Sequence, residues 1–122
     1  MNSPAPQPAA APMAVDLLSF TPKIQGALRG FAKVRLRGGL IIHDVSILFS
    51  NERAWASLPS KPQIGAGGVV LKDNAGKTRY VPVIKWENKA DRQRWSDGVV
   101  AAVERAHGPI AAMTSANAML GA

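Results

Sequence analysis

The stretch LRGFAKVRLR, residues 28–37, carries Arg29, Lys33, Arg35 and Arg37, with Phe31 among them and no acidic residue. Side chains at alternate positions of an extended chain lie on one face. Guanidinium and ammonium groups so placed can neutralise phosphates, and an aromatic ring in the same row is available for stacking on bases. The same row could be an ordinary solvated face, with Lys33 and Asp44 as a cross-strand ion pair. Solvated faces usually mix signs, however, and this strand does not, which favours phosphate binding. Further basic residues, Lys61, Lys72, Lys77, Arg79 and Lys85, could extend the patch, whereas Arg92 and Arg94 are partly offset by Asp91 and Asp97. Nothing here reads bases at defined positions: there is no helix-turn-helix, zinc finger or RNP-like motif.

No other group of residues makes a coherent reaction centre. His43 and Asp44 are adjacent, and neighbours on a strand point to opposite faces. His43 is therefore expected inside the domain, hydrogen-bonded, and not as a catalytic base. His107 falls at a helix C-terminus, where its charge suits the helix dipole. Two separated histidines and no cysteine argue against a metal site. GAGG (65–68) lacks the Lys-Ser/Thr of a phosphate loop. Trp55, Trp86 and Trp95 are expected in the core or at a dimer contact, with base stacking open to Trp55 and Trp86. No enzyme activity, cofactor or metal is expected.

The chain has 122 residues, one domain's worth, with a formal net charge of +7. The charge is uneven: residues 23–85 hold eleven Lys/Arg against Asp44, Glu52 and Asp73, and the remainder is close to neutral. An acidic partner such as nucleic acid follows from that balance. The absence of cysteine excludes disulfides and suits a reducing cytosol. No apolar run approaches the roughly 20 residues of a membrane span. The start MNSPAPQPAAAP lacks the pattern of a secretory signal, so a cytoplasmic location is expected.

The elements that must hold the basic row follow from periodicity. Residues 1–14 are a disordered Pro/Ala-rich tail by composition, 15–109 a single domain, and 110–122 a small-residue tail. Residues 15–25 carry no assignable pattern. Strands are expected at 28–37 and 40–49 around a two-residue Gly38-Gly39 turn, then at 54–58, 69–73 and 78–86. With that turn, Arg37 faces Leu40 and Val34 faces His43, which puts Ala32, Val34, Leu36, Ile41, Val45 and Ile47 on the core face with His43. Residues 88–109 read as an amphipathic helix, capped by Asn88, striped by Trp95, Val99, Ala102, Val103 and Ala106, and stopped by Gly108-Pro109. Gly98 weakens this helix or permits a close approach. The class is α+β: a five-stranded antiparallel sheet built from hairpins with one C-terminal helix. One helix covers only part of such a sheet, so a homodimer is expected.

The residues AKVRLRGGLIIHDVSIL and WASLPSK resemble the stage V sporulation protein G (SpoVG) family of bacterial septation regulators, over about residues 28–107. Shared are IIHDVSI as the second strand, LPSK (58–61) after a short third strand, and a later Tyr-Val-Pro strand followed by a helix. The Pro/Ala tail, the Gly-Gly hairpin, the glycine loop at 65–68 and the RQRWSDGVVAAV helix depart from that pattern. The resemblance implies a dimeric α+β fold and a small, basic DNA- and RNA-binding regulator. It also implies a contact by Lys61, with His43, Asp44, Pro59 and Ser60 as fold-defining positions. The expected nucleic-acid contacts are thus Arg29, Phe31, Lys33, Arg35, Arg37, Lys61, Arg79 and Lys85. The competing expectation is a module that binds an acidic protein through its sheet edge or helix.

Overall fold

Alternating apolar and polar residues joined by short loops make strands that are neighbours in sequence neighbours in space. The computed structural model describes residues 11–114; of the tails expected at 1–14 and 110–122, residues 1–10 and 115–122 lie outside them. Strands β1 (Val15–Gln25), β2 (Leu28–Leu36), β3 (Ile41–Ser50) and β4 (Arg53–Ser57) form an antiparallel sheet in that order. A separate two-stranded sheet joins β5 (Ser60–Pro62) to β6 (Tyr80–Pro82), and the helix α1 (Lys89–His107) follows.

The α+β class and the antiparallel sheets are as expected; the single five-stranded sheet is not found. Residues 15–25, unassigned by pattern, form a full strand. The hairpin expected from 69–73 and 78–86 is reduced to β6 and a Lys72–Thr78 bridge. Asp73 Oδ1 accepts hydrogen bonds from the N–H groups of Ala75 and Lys77 and so shapes its turn. Three backbone bonds then close a ring. Gln63 N donates to Arg79 O, Arg79 N to Leu71 O, and Leu71 N to Gln63 O, at 2.7, 3.0 and 2.9 Å. These segments pair with one another and not with the main sheet.

The register of β2 on β3 departs from expectation near the turn. Gly39 N donates to Leu36 O and Leu36 N to Leu40 O, so the loop has three residues, Arg37, Gly38 and Gly39. Gly38 has φ 98°, a value that favours glycine. The extra residue pairs Arg35 with Ile41 and Val34 with Ile42. Further along, Lys33 alone faces His43 and Asp44, a β-bulge in which Asp44 has φ 56°. The bulge absorbs the slip and restores the expected Ala32–Val45 and Gly30–Ile47 pairs. Two corrections follow. Ile42, not Ile41, enters the core, and His43 is exposed instead of buried. The two-residue turn with both φ positive occurs at Asn51-Glu52, between β3 and β4.

Helix α1 covers one face of the four-stranded sheet. Trp95, Val99, Ala102 and Val103 pack with Val15, Ala32, Val34, Ile42, Val45, Ile47 and Ala56 in one buried cluster. Each large aliphatic side chain so buried contributes about 1.5–3 kcal/mol relative to exposure. Ala106, expected in the stripe, is exposed. Asn88 caps α1 by accepting from the N–H groups of Ala90 and Asp91. Gly108 ends it at φ 86°. Packing continues past the expected span of 15–109 at both ends. Glu104 Oε2 accepts from Ile110 N and holds the fully buried Ile110 in place. Met13 N donates to Arg94 O at 2.9 Å, so the chain before β1 crosses α1. A Cβ on Gly98 would clash with the Met13 carbonyl oxygen. Gly98 therefore permits a close approach of the N-terminal segment.

Gly98→Ala should lower stability by about 1–3 kcal/mol in urea unfolding, although alanine by itself favours helix by about 1 kcal/mol. A parental midpoint would mean that the N-terminal segment does not cross there. At the bulge, Asp44→Gly should match or exceed the parent in the same assay. Asp44→Val should lose about 1–3 kcal/mol, since a β-branched residue is strained at positive φ; equal midpoints would exclude the bulge.

Candidate nucleic-acid interface

The face of the sheet opposite α1 is built by the residues that alternate with the core. Pairing sets Asp16, Arg35 and Ile41 in one row and Ser19 beside Lys33 in the next, at the bulge. Thr21, Phe31, Ser46 and Ser57 form the third row, and Leu48 and Trp55 lie opposite one another beyond it. Directly opposed residues share a face, and diagonal neighbours are within reach of aromatic side chains. Phe31, Leu48 and Trp55 thus form an oblique apolar stripe, with Lys33 and Arg35 toward one end. Arg35 Nη2 lies 3.1 Å from Asp16 Oδ2, and both side chains are about half exposed or more, at 48% and 67%. An exposed pair of this kind contributes about 0–1 kcal/mol, so Asp16 holds Arg35 only weakly. Lys33 forms no ion pair with Asp44 among the described residues.

Arg29 does not belong to that row. A second irregularity, between Leu28 and Gly30, takes it out of alternation. Its guanidinium lies 5.8 Å from the centre of the Phe49 ring, and its Nη1 donates to Gly26 O and Leu28 O. Arg29 therefore braces the β1–β2 turn. Arg37 is exposed in the loop beyond β2, and Lys61 and Arg79 are exposed on the small sheet. Of the eight expected contacts, Phe31, Lys33 and Arg35 share the open face, and Lys85 lines a cleft.

The cleft, about 840 Å³, lies between β4, the small sheet and the first turns of α1. Arg53 and Trp55 enter it from β4, Tyr80 from β6, Lys85 and Trp86 from the connection to α1, and Arg92 and Trp95 from α1 itself. Among the described residues no Asp or Glu lines it. Trp95 is fully buried, with its ring centre 6.3 Å from that of Trp86. The indole N–H groups of both are buried without an acceptor among the described residues. Trp55 and Tyr80 are the accessible rings, 37% and 62% exposed. Along the cleft, Ser96 Oγ accepts from Ala56 N at 2.9 Å. That bond occupies an N–H that an edge strand would otherwise offer to an incoming strand.

Trp55 belongs to both surfaces, since it faces Leu48 across the open sheet and lines the cleft. Arg53 and Tyr80 are not among the contacts expected from sequence, and Arg92 is there partly offset by Asp91 and Asp97. The available signal was a run of basic and aromatic residues without acids at 53–61 and again at 77–86. Among the described residues no three His, Cys, Asp or Glu side chains group to hold a metal, and no helix is long and apolar enough to cross a membrane. Comparison with protein-family models, with curated proteins and with solved structures returns no match.

Ser96→Ala would leave the buried Ala56 N–H unpaired, at a cost of about 1–3 kcal/mol. Amide hydrogen exchange at Ala56 should quicken accordingly. Unchanged protection would show that another group holds that donor.

Proposed function

We propose that this protein is a non-enzymatic nucleic-acid-binding regulator that contacts phosphates through its basic sheet face and adjoining loops. The observation that carries this reading is the grouping of Lys33 and Arg35 with Phe31 and Trp55 on the face that α1 leaves open. The net charge of +7, concentrated outside the helix, supports it. So does the resemblance to the SpoVG family, whose implied DNA- and RNA-binding, dimeric and cytoplasmic character is part of the proposal.

Docking of an acidic protein on a sheet edge or on the helix is the rival reading. The edges are poorly suited to strand addition. β4 has its Ala56 N–H taken by Ser96, and β1 is interrupted by two irregularities and by Pro22. The exposed positions of α1 mix signs, with Lys89, Arg92 and Arg105 among Asp97 and Glu104. An acidic partner would find no continuous basic stripe there.

Binding of short DNA and RNA oligonucleotides should weaken with salt, log K falling by about 0.7–0.9 per phosphate neutralised for each unit of log salt. Lys33→Glu combined with Arg35→Glu should reduce affinity at low salt by roughly tenfold or more. Circular dichroism and sedimentation should report an unchanged fold and assembly. Absence of binding at low ionic strength would refute the function; parental affinity in the double variant would move the site off this face.

A further inference from the structure

We infer that the cleft beside β4 seats unpaired bases, so that the ligand of this protein is single-stranded nucleic acid and not duplex. The inference rests on the nucleic-acid reading above and specifies which form is bound. Three observations lead to it. The cleft wall combines Arg53, Lys85 and Arg92 with the accessible rings of Trp55 and Tyr80, and no carboxylate opposes them. Cations beside free aromatic faces are the pairing that single-strand sites use: the cations track phosphates, and the rings take bases of any sequence. The volume of about 840 Å³ lies in the range of sites that enclose small molecules, and a nucleobase with its sugar is of that class.

The second observation is continuity. Trp55 stands at the boundary between the cleft and the open face, where Lys33 and Arg35 lie with Phe31. A strand crossing from Lys33 and Arg35 passes over the apolar stripe of Phe31 and Leu48 and can turn over Trp55 into the cleft, where Arg53, Lys85 and Arg92 supply positive charge again. A duplex cannot follow that path with its bases engaged, because paired bases keep their faces stacked inside the helix, and extruding one costs a few kcal/mol.

The third observation weighs against the other occupant that such a groove might take, an extended peptide. Strand addition relies on free backbone groups along an edge, and at Ala56 the outward N–H already donates to Ser96. The small sheet on the far side is closed by the ring of bonds among Gln63, Leu71 and Arg79. What the cleft offers is side-chain rings and charge.

Fluorescence anisotropy on the full chain tests this with four probes of similar length: an oligothymidylate, an abasic oligodeoxynucleotide, a duplex and polyglutamate. The oligothymidylate should bind about tenfold or more tightly than the other three. Trp55→Ala and Tyr80→Ala should each weaken it by about 5- to 150-fold, the range for loss of one base–aromatic stack. Trp55→Phe should restore most of the affinity. Neither alanine variant should change the salt slope or the weaker abasic binding. Tyr80 is mostly exposed, so its removal leaves the core intact. If the abasic strand, duplex or polyglutamate equals the oligothymidylate, or if both alanine variants bind as the parent does, the cleft inference is overturned. Duplex binding would leave the nucleic-acid reading standing. Failure of every nucleic-acid probe at low salt would remove both.

Discussion

Four strands present two faces to water, and the 19 residues of α1 carry apolar side chains for one of them. That asymmetry governs the rest of the molecule. Trp95, Val99 and Val103 press on Val34, Val45 and Ile47, and every one of these six side chains is fully buried. Hydrophobic burial is non-directional, so it does not by itself decide where along the sheet the helix rests. Two polar contacts do. Met13 N on Arg94 O ties the chain before β1 to the helix, and Ser96 Oγ on Ala56 N ties the helix to β4 at the other edge. The helix thus spans the sheet from its first strand to its last, and no second layer is needed to hold it.

The position of α1 also makes the cleft. Because Ser96 meets Ala56, the preceding turn of the helix carries Arg92 and Trp95 to the flank of β4. The chain that arrives at Asn88 must come from the small sheet, which brings Tyr80, Lys85 and Trp86 to the same place. The small sheet completes its own backbone bonding and therefore stands beside the main sheet instead of lengthening it. Had residues 78–86 paired with β4 and lengthened the main sheet, the groove would have been filled by strand.

Sequence periodicity made the class, the helix and its cap, and the basic face of β2 legible, because each depends on local spacing. It failed where one residue changed the count. The three-residue loop at Arg37–Gly39 and the bulge at His43–Asp44 are a pair of opposite slips. Each alone would have reversed the faces of a strand; together they cancel for Ala32 and Gly30 and alter only Ile41, Ile42 and His43. A glycine pair looked like the site of a two-residue turn, whereas Asn51-Glu52, with no glycine, is where one forms. β1 was unreadable for a related reason. Irregularities between Leu17 and Ser19 and between Pro22 and Gln25 break its alternation, so no period of two survives in VDLLSFTPKIQ. The cleft was hidden because its walls come from segments some forty residues apart, and only tertiary packing brings Arg53 near Arg92.

In the proposed function the two surfaces would divide the physical work of binding. Lys33, Arg35 and the cleft cations act through charge, which is screened beyond about 8 Å at physiological ionic strength and does not distinguish one phosphodiester chain from another. Rings act at contact, through dispersion and the exclusion of water, and salt changes that contribution little. A face with cations alone would bind any polyanion, and a cleft with rings alone would lack the long-range attraction that guides a charged strand to it. Placement of Trp55 on the edge strand makes it common to both, since an edge residue faces the open sheet and borders the groove beyond it. Under the proposed function, discrimination between a flexible single strand and a stiff duplex would arise from shape: cations lie on the open face and again in the cleft around the edge of the sheet, and only a chain that can bend within a few nucleotides would keep both contacts at once.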